Sequence, residues 1–246
     1  MKLLLNTNNI INEEDSISLI FINGDEGIGK TALAQLVYND KEVQRHFELK
    51  NWVWVSKLFD INGICAKIVE DMDNTNIVLE DESKGNNIRL EDVSSKLSEN
   101  IDGKRYLLVL DDVSNTSSLS TSNLMKRLKG AAKGSKIIIT TRSKEVAKIS
   151  KNRSQLITLK KLNEENSWKM FCLFAFSDET ELENQNLVSI GKEIVKKCNG
   201  IPLSIHRIGR LMYTKKKEKE WLKLKDQDLV NIDEQGVLAL YEEDMF

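Results

Sequence analysis

The chain has 246 residues, 36 basic against 38 acidic with a net charge of −2, and 40% hydrophobic residues. That length can bury a real core as one large domain or two small ones, and the balanced charge gives no ground for a global nucleic-acid or membrane-surface binder. Cys65, Cys172 and Cys198 are odd in number and far apart. They make neither a disulfide framework nor a C-x-x-C metal pair, so a reducing compartment and buried filler roles are expected.

Residues 1–15 read as the end of a helix and a polar, Asn-rich connector. The apolar run after Met1 is too short for a signal peptide, and no stretch is long enough to span a membrane, so a soluble cytosolic protein is expected. Ser18-Leu19-Ile20-Phe21-Ile22 then predicts a buried strand. It runs into Gly24-Asp25-Glu26-Gly27-Ile28-Gly29-Lys30-Thr31, which fits the phosphate-loop template G-x-x-x-x-G-K-[ST] at every fixed position. Ala32, Leu33, Ala34, Leu36 and Val37 continue as a helix with an apolar face. Strand, glycine loop and helix in that order aim backbone N–H groups and a helix N-terminus at phosphate oxygens. Lys30 is placed for the β- and γ-phosphates and the Thr31 hydroxyl for Mg²⁺. Asp25 and Glu26 put two carboxylates into this loop: either they oppose the phosphates or they point to solvent.

Asn39-Asp40 should end that helix. Asn51-Trp52-Val53-Trp54-Val55-Ser56 predicts a second strand, and Ile61, Ile64, Cys65, Ile68 and Val69 predict a helix. A polar surface loop is expected over 73–87, then an amphipathic helix through Leu90, Val93, Leu97 and Ile101. Tyr106-Leu107-Leu108-Val109-Leu110 is an all-apolar run of the kind found inside parallel sheets, and it ends in Asp111-Asp112. Many such pairs are caps or turns. Behind a full phosphate loop this one reads as a Walker B element, with Asp111 anchoring Mg²⁺ through water and Asp112 orienting or activating the attacking water.

A Ser/Thr-rich loop over 114–122 precedes a short helix carrying Leu124, Met125 and Leu128. Residues 135–142 predict another buried strand with Arg142 just past its C-terminal end, placed either to sense a γ-phosphate or to open the next turn in solvent. Gln155-Leu156-Ile157-Thr158-Leu159 is a fifth strand candidate. Helices follow. Asn163 is placed to cap the first of them, whose apolar stripe is Trp168, Phe171, Cys172 and Ala175. Leu187, Ile190, Ile194 and Cys198 form the next stripe, closed by Asn199-Gly200. Pro202, the only proline, should open a further helix through Ile205, Ile208, Leu211 and Met212. The Lys/Glu run 215–220 reads as an exposed turn into a last helix with Trp221 and Leu222. His46 and His206 are not at ligand spacing from each other or from a cysteine. The expected fold is α/β: a P-loop parallel sheet flanked by helices over 1–153, followed by a small all-helical subdomain over 154–246.

Six stretches in this order resemble the NB-ARC module of plant leucine-rich-repeat disease-resistance proteins, a branch of the signal-transducing P-loop ATPases. They are the loop with its continuation Leu33-Ala34-Gln35-Leu36-Val37-Tyr38-Asn39-Asp40, residues 47–60, residues 104–113, residues 134–142, residues 159–176, and Cys198-Asn199-Gly200-Ile201-Pro202-Leu203. The tryptophans after the loop resemble the coiled-coil subclass. The resemblance implies that Gly24 through Ala32 hold the nucleotide phosphates, Thr31 and Asp111 hold Mg²⁺, Asp112 is the catalytic acid, Arg142 senses the γ-phosphate, and Pro202 and Leu203 pack near adenine. It implies an ADP/ATP switch in an immune-receptor pathway, with partners among that receptor's other domains or proteins, a cytoplasmic location, and slow ATP hydrolysis at most. It also implies a fragment that stops before the family's winged-helix subdomain and repeats. Glu26 replaces a usual glycine, and Ser114 stands where the subclass has tryptophan.

Two other classes stay open on the residues alone. One is a working P-loop enzyme, a nucleotide kinase or fast ATPase, for which no compact Arg-rich lid is visible. The other is an inert or adaptor-like fragment with weak nucleotide binding, motivated by Asp25 and Glu26. Nucleic acid is not an expected partner, since no basic groove with interleaved aromatics is present.

Overall fold

The computed structural model of the chain describes residues 2–5, 17–55, 61–73, 90–114, 121–148, 154–215 and 217–226. In chain order these form α1 (Lys2–Leu5), β1 (Ile17–Asn23), α2 (Lys30–Tyr38), α3 (Lys41–His46), β2 (Leu49–Trp54), α4 (Ile61–Asp73), α5 (Leu90–Ile101), β3 (Tyr106–Asp111), α6 (Thr121–Arg127), β4 (Ser135–Thr141), α7 (Lys144–Lys148), β5 (Ser154–Thr158), α8 (Glu164–Ala175), a 3₁₀ turn (Glu179–Glu183), α9 (Gln185–Lys197), α10 (Pro202–Thr214) and α11 (Glu218–Lys225). The Asn-rich connector after residue 5, Ser56, the polar stretch over 74–87, loop residues 115–120, Arg153 with its expected domain boundary, and Lys216 lie outside the described residues. Two compact units emerge. The first holds the described residues up to Asp25 and from Lys30 to Leu159; the second holds Glu26–Gly29 and the described residues from Lys160 on.

The first unit is a five-stranded, all-parallel sheet in the order β2-β3-β4-β1-β5. Strands covered on both faces carry near-continuous apolar runs, and these do. Successive residues alternate between faces. Phe21, Leu108, Leu110, Ile137 and Ile139 join one core with Ile64 and Ile68 of α4, Leu97 of α5 and Leu124 of α6. Ile20, Ile22, Leu107, Val109 and Ile138 join the other with Ala34 of α2 and Val43 of α3. The connection from β1 runs to β2 at the far edge, whereas the one from β4 passes over β1 to β5. The chain thus leaves β1 and β4 in opposite directions, and the C-terminal ends of such neighbours form a ligand crevice. Their ends are level, with Asn23 opposite Thr141.

Local expectations needed a few corrections. The helix after the loop ends at Tyr38, and Asp40 starts a new one: its side chain accepts from the Glu42 and Val43 N–H groups, capping α3. β2 begins two residues early, at Leu49, while β4 stops at Thr141 and leaves Arg142 just past its end as expected. The short α7 and the 3₁₀ turn were not predicted. Cys65 and Cys198 are buried, but Cys172 is only half-buried, packed at the margin of the helical core.

The second unit packs α8 to α11 around Phe171, Ile194, Ile205, Leu211 and Trp221. Asn163 caps α8, accepting from Asn166 N at 2.8 Å. Pro202 opens α10, where its missing N–H costs nothing. Gly200 sits at φ +68°, and a Cβ there would lie 2.4 Å from Leu162 O. Among the described residues, no helix is long and apolar enough to cross a membrane.

Candidate functional site: the phosphate loop and the ends of β1, β3 and β4

β1 ends at Asn23, and α2 begins at Lys30. The intervening turn uses conformations that favour glycine: Gly27 lies at φ +70° and Gly29 at φ +99°. Gly27 is also tightly approached, since a Cβ would meet Ile201 Cγ2 and Leu203 Cβ at 3.0 Å. Within the second unit, Leu203 N donates to Gly27 O at 3.1 Å. Lys30 is buried, and its Nζ donates to Asp25 O at 2.8 Å, folding the ammonium back along its own loop. Ile28 is buried, whereas the Asp25, Glu26, Thr31 and Ala32 side chains are exposed. The first-turn N–H groups of α2 have no intrahelical partners, and they carry the positive end of the helix dipole.

The other half of the site comes from β3 and β4. Thr31 Oγ1 donates to Asp111 Oδ1 at 3.0 Å. Thr140 Oγ1 donates to the same oxygen at 2.5 Å and accepts from Asp112 N at 2.9 Å. Asp112 is held at φ +60°, a left-handed conformation that an aspartate tolerates better than most residues. Its carboxylate faces Arg142 side-on, with Nε 3.3 Å from Oδ1 and Nη2 3.4 Å from Oδ2. Lys30, Thr31, Asp111, Asp112 and Arg142 are therefore brought to one edge of the sheet. Pro202 and Leu203 stand at the first two positions of α10 in the second unit.

This donor set fits a nucleotide with Mg²⁺. Mg²⁺ takes one or two protein oxygens and fills its octahedron with phosphate and water oxygens. A hydroxyl already turned toward a carboxylate presents its lone pairs outward, as a ligand must. The loop supplies a buried lysine and glycine-dependent backbone turns where phosphate oxygens need N–H donors.

Three residues of this edge were not singled out from sequence. Thr140 bridges the two aspartates. Thr141 Oγ1 donates to Val113 O at 2.6 Å, and Asn23 Nδ2 donates to Thr141 O at 3.2 Å. The available signal was polarity in a buried strand: Asn23, Thr140 and Thr141 are all buried polar residues at C-terminal strand ends.

Sheet order, loop and carboxylates define a P-loop nucleotide-binding fold. The profile of the NB-ARC domain matches residues 4–181. Disease resistance protein RGA2 of Solanum bulbocastanum is 37% identical over 240 residues, 97% of this chain and 24% of that protein. Disease resistance protein RPP13 of Arabidopsis thaliana is 34% identical over 209 residues, 85% of this chain and 24% of that protein. This chain spans about a quarter of the length of these curated relatives. Among solved structures, a signal transduction ATPase with numerous domains and a tetratricopeptide repeat sensor from Pyrococcus horikoshii aligns at TM-score 0.47 and 20% identity, over 78% of this chain and 27% of that one. That likeness adds nothing to the assignment. The chain belongs to the NB-ARC family.

Proposed function

We propose that the chain is the ADP/ATP-binding switch module of a plant disease-resistance protein, working in the cytoplasm within an innate immune pathway and hydrolysing ATP slowly at most. Lys30 and the loop amides through Ala32 would hold the phosphates, and Thr31 and Asp111 would hold Mg²⁺. Bound Mg²⁺ would supply positive charge to the phosphate oxygens. Pro202 and Leu203 would serve the adenine side, and the module would divide into domains 1–153 and 154–246.

One observation carries the choice of a switch over a fast enzyme. The Asp112 carboxylate, which would have to accept a proton from water, is engaged by the Arg142 guanidinium across 3.3 and 3.4 Å contacts. Both carboxylate oxygens are turned toward the guanidinium, and a general base must stand within hydrogen-bond reach of the proton it takes, so the pair has to open before Asp112 can serve. The Asp25 and Glu26 side chains are exposed, which supports the reading in which they sit in solvent rather than against the phosphates.

The test is nucleotide content and turnover. Protein purified without added nucleotide should release ADP on denaturation, by mass spectrometry. Titration calorimetry with ADP and Mg²⁺ should give binding that Lys30→Ala abolishes. Multiple turnover above about 1 per second, the low end of ordinary enzyme rates, would overturn the switch reading. Wild-type protein that neither carries nor binds nucleotide would overturn nucleotide binding itself.

A further inference from the structure

β4 is a strand of isoleucines that ends in two buried threonines. A valine has the same shape as threonine, so the hydroxyl rather than the volume of Thr140 needs an explanation. A hydroxyl has one proton to give and lone pairs to receive. At Thr140 both functions are used: the proton goes to Asp111 Oδ1 at 2.5 Å, and a lone pair takes the Asp112 N–H at 2.9 Å. Because Asp112 N–H fills the acceptor role, the proton is directed at Asp111. The Thr140 backbone adds a third tie, its carbonyl accepting from Val113 N at 2.9 Å.

We propose that Thr140 is a positioning residue for the nucleotide–Mg²⁺ site, holding the Asp111 carboxylate and the Asp112 backbone in fixed relation. With Thr31 and Thr140 both donating to Oδ1, the Asp111 carboxylate cannot rotate without breaking two charge-assisted hydrogen bonds. Among the described residues no hydrogen bond reaches its Oδ2, which would leave that oxygen to meet the cation's water shell. The same hydroxyl satisfies the amide of a residue in a left-handed conformation, and so sets where the Asp112 side chain departs. The partners of the Thr140 hydroxyl are Asp111 and Asp112, so its effect on the ligand would pass through the two aspartates.

This inference rests on the nucleotide reading above, and its test separates the two. Affinity for a fluorescent ADP analogue is measured with Mg²⁺ and with EDTA for wild type, Thr140→Val and Thr140→Ser. The expected result is that Thr140→Val loses about tenfold in affinity with Mg²⁺, the scale of one hydrogen bond to a charged group, and little in EDTA. Thr140→Ser should restore the Mg²⁺ increment. Equal loss in both media, an unchanged Mg²⁺ increment in Thr140→Val, or a serine variant as impaired as the valine would overturn the proposal. Amide hydrogen exchange on nucleotide-free protein reads the same bond independently: Asp112 N–H should lose protection in the valine variant and keep it in the serine one. Equal protection in all three proteins overturns the role of Thr140. If wild-type protein binds no nucleotide in either medium, the nucleotide reading fails, and the role of Thr140 in a nucleotide site falls with it.

Discussion

Thr31 Oγ1 reaches across 80 positions of chain to donate to Asp111 Oδ1 at 3.0 Å, so one hydrogen bond joins the first turn of α2 to the end of β3. In the proposed site this pair would hold Mg²⁺ together. Residues that act through one shared contact are not additive. Thr31→Val and Asp111→Asn should each weaken Mg²⁺-dependent ADP binding, and the double variant should be no weaker than the worse single one. Calorimetry on the four proteins gives the coupling, expected at roughly 0.5–3 kcal/mol. Strict additivity would mean that the two residues serve the ligand separately.

Gly200 offers a sharper stability test. Its carbonyl accepts from Leu162 N at 2.9 Å, and its Cα lies so close to Leu162 that an added Cβ would stand 2.4 Å from Leu162 O. Both partners are backbone, so no side chain can move aside, and φ +68° adds left-handed strain. Gly200→Ala should destabilise the helical unit by at least about 2 kcal/mol. Urea unfolding read at the buried Trp221 should show it. An unchanged midpoint would contradict the packing described here.

Much of this was legible in sequence because the signals were local. β3 is an apolar run up to Asp111 and β4 has Ile137-Ile138-Ile139 at its centre, as a strand buried on both faces requires. The Asn163 cap, Pro202 at the head of α10 and the Asn199-Gly200 stop each follow from one residue's backbone chemistry. What was missed has a different character. α3 is six residues long, with only Val43 buried, so no apolar stripe announces it. The order β2-β3-β4-β1-β5 is set by which faces pack over long separations, and no window of sequence contains that. Thr140 looks like any β-branched strand residue. Its role exists only because β3 and β4 lie side by side and bring Asp111 and Asp112 to its hydroxyl.

Cys198 gives a pH dependence with a definite sign. Burial pushes its thiol from 9.0 up to about 12. The folded state therefore keeps the proton where the unfolded state has lost it. The stabilising contribution is whole below pH 9 and drains away as pH rises from 9 toward 12. Denaturation midpoints should fall across that window, and less steeply in Cys198→Ala after correction for its lower starting stability. In native protein at pH 8 the thiol should resist a disulfide reagent that labels all three cysteines once the chain is unfolded. Rapid native labelling of Cys198 would contradict its burial.

The Asp112–Arg142 pair is half-exposed, with side-chain exposures of 34% and 41%. Solvent screens such contacts, and exposed ion pairs contribute about 0–1 kcal/mol. A pair this weak would yield to a stronger anion: if Arg142 senses the γ-phosphate as proposed, that phosphate, with more charge than a carboxylate, would compete for the guanidinium. Two substitutions should therefore act in opposite directions on nucleotide preference. Arg142→Gln removes the cation and should lower ATP affinity relative to ADP. Asp112→Asn keeps the left-handed backbone accessible, removes the competing carboxylate and should raise ATP affinity relative to ADP. Neither should shift the melting temperature by more than about 4 °C in a chain of this size. Competition titrations of ATP against ADP decide it. If both variants move the ratio the same way, Arg142 is not exchanging Asp112 for phosphate, and the pair is a surface contact of the β3 and β4 ends.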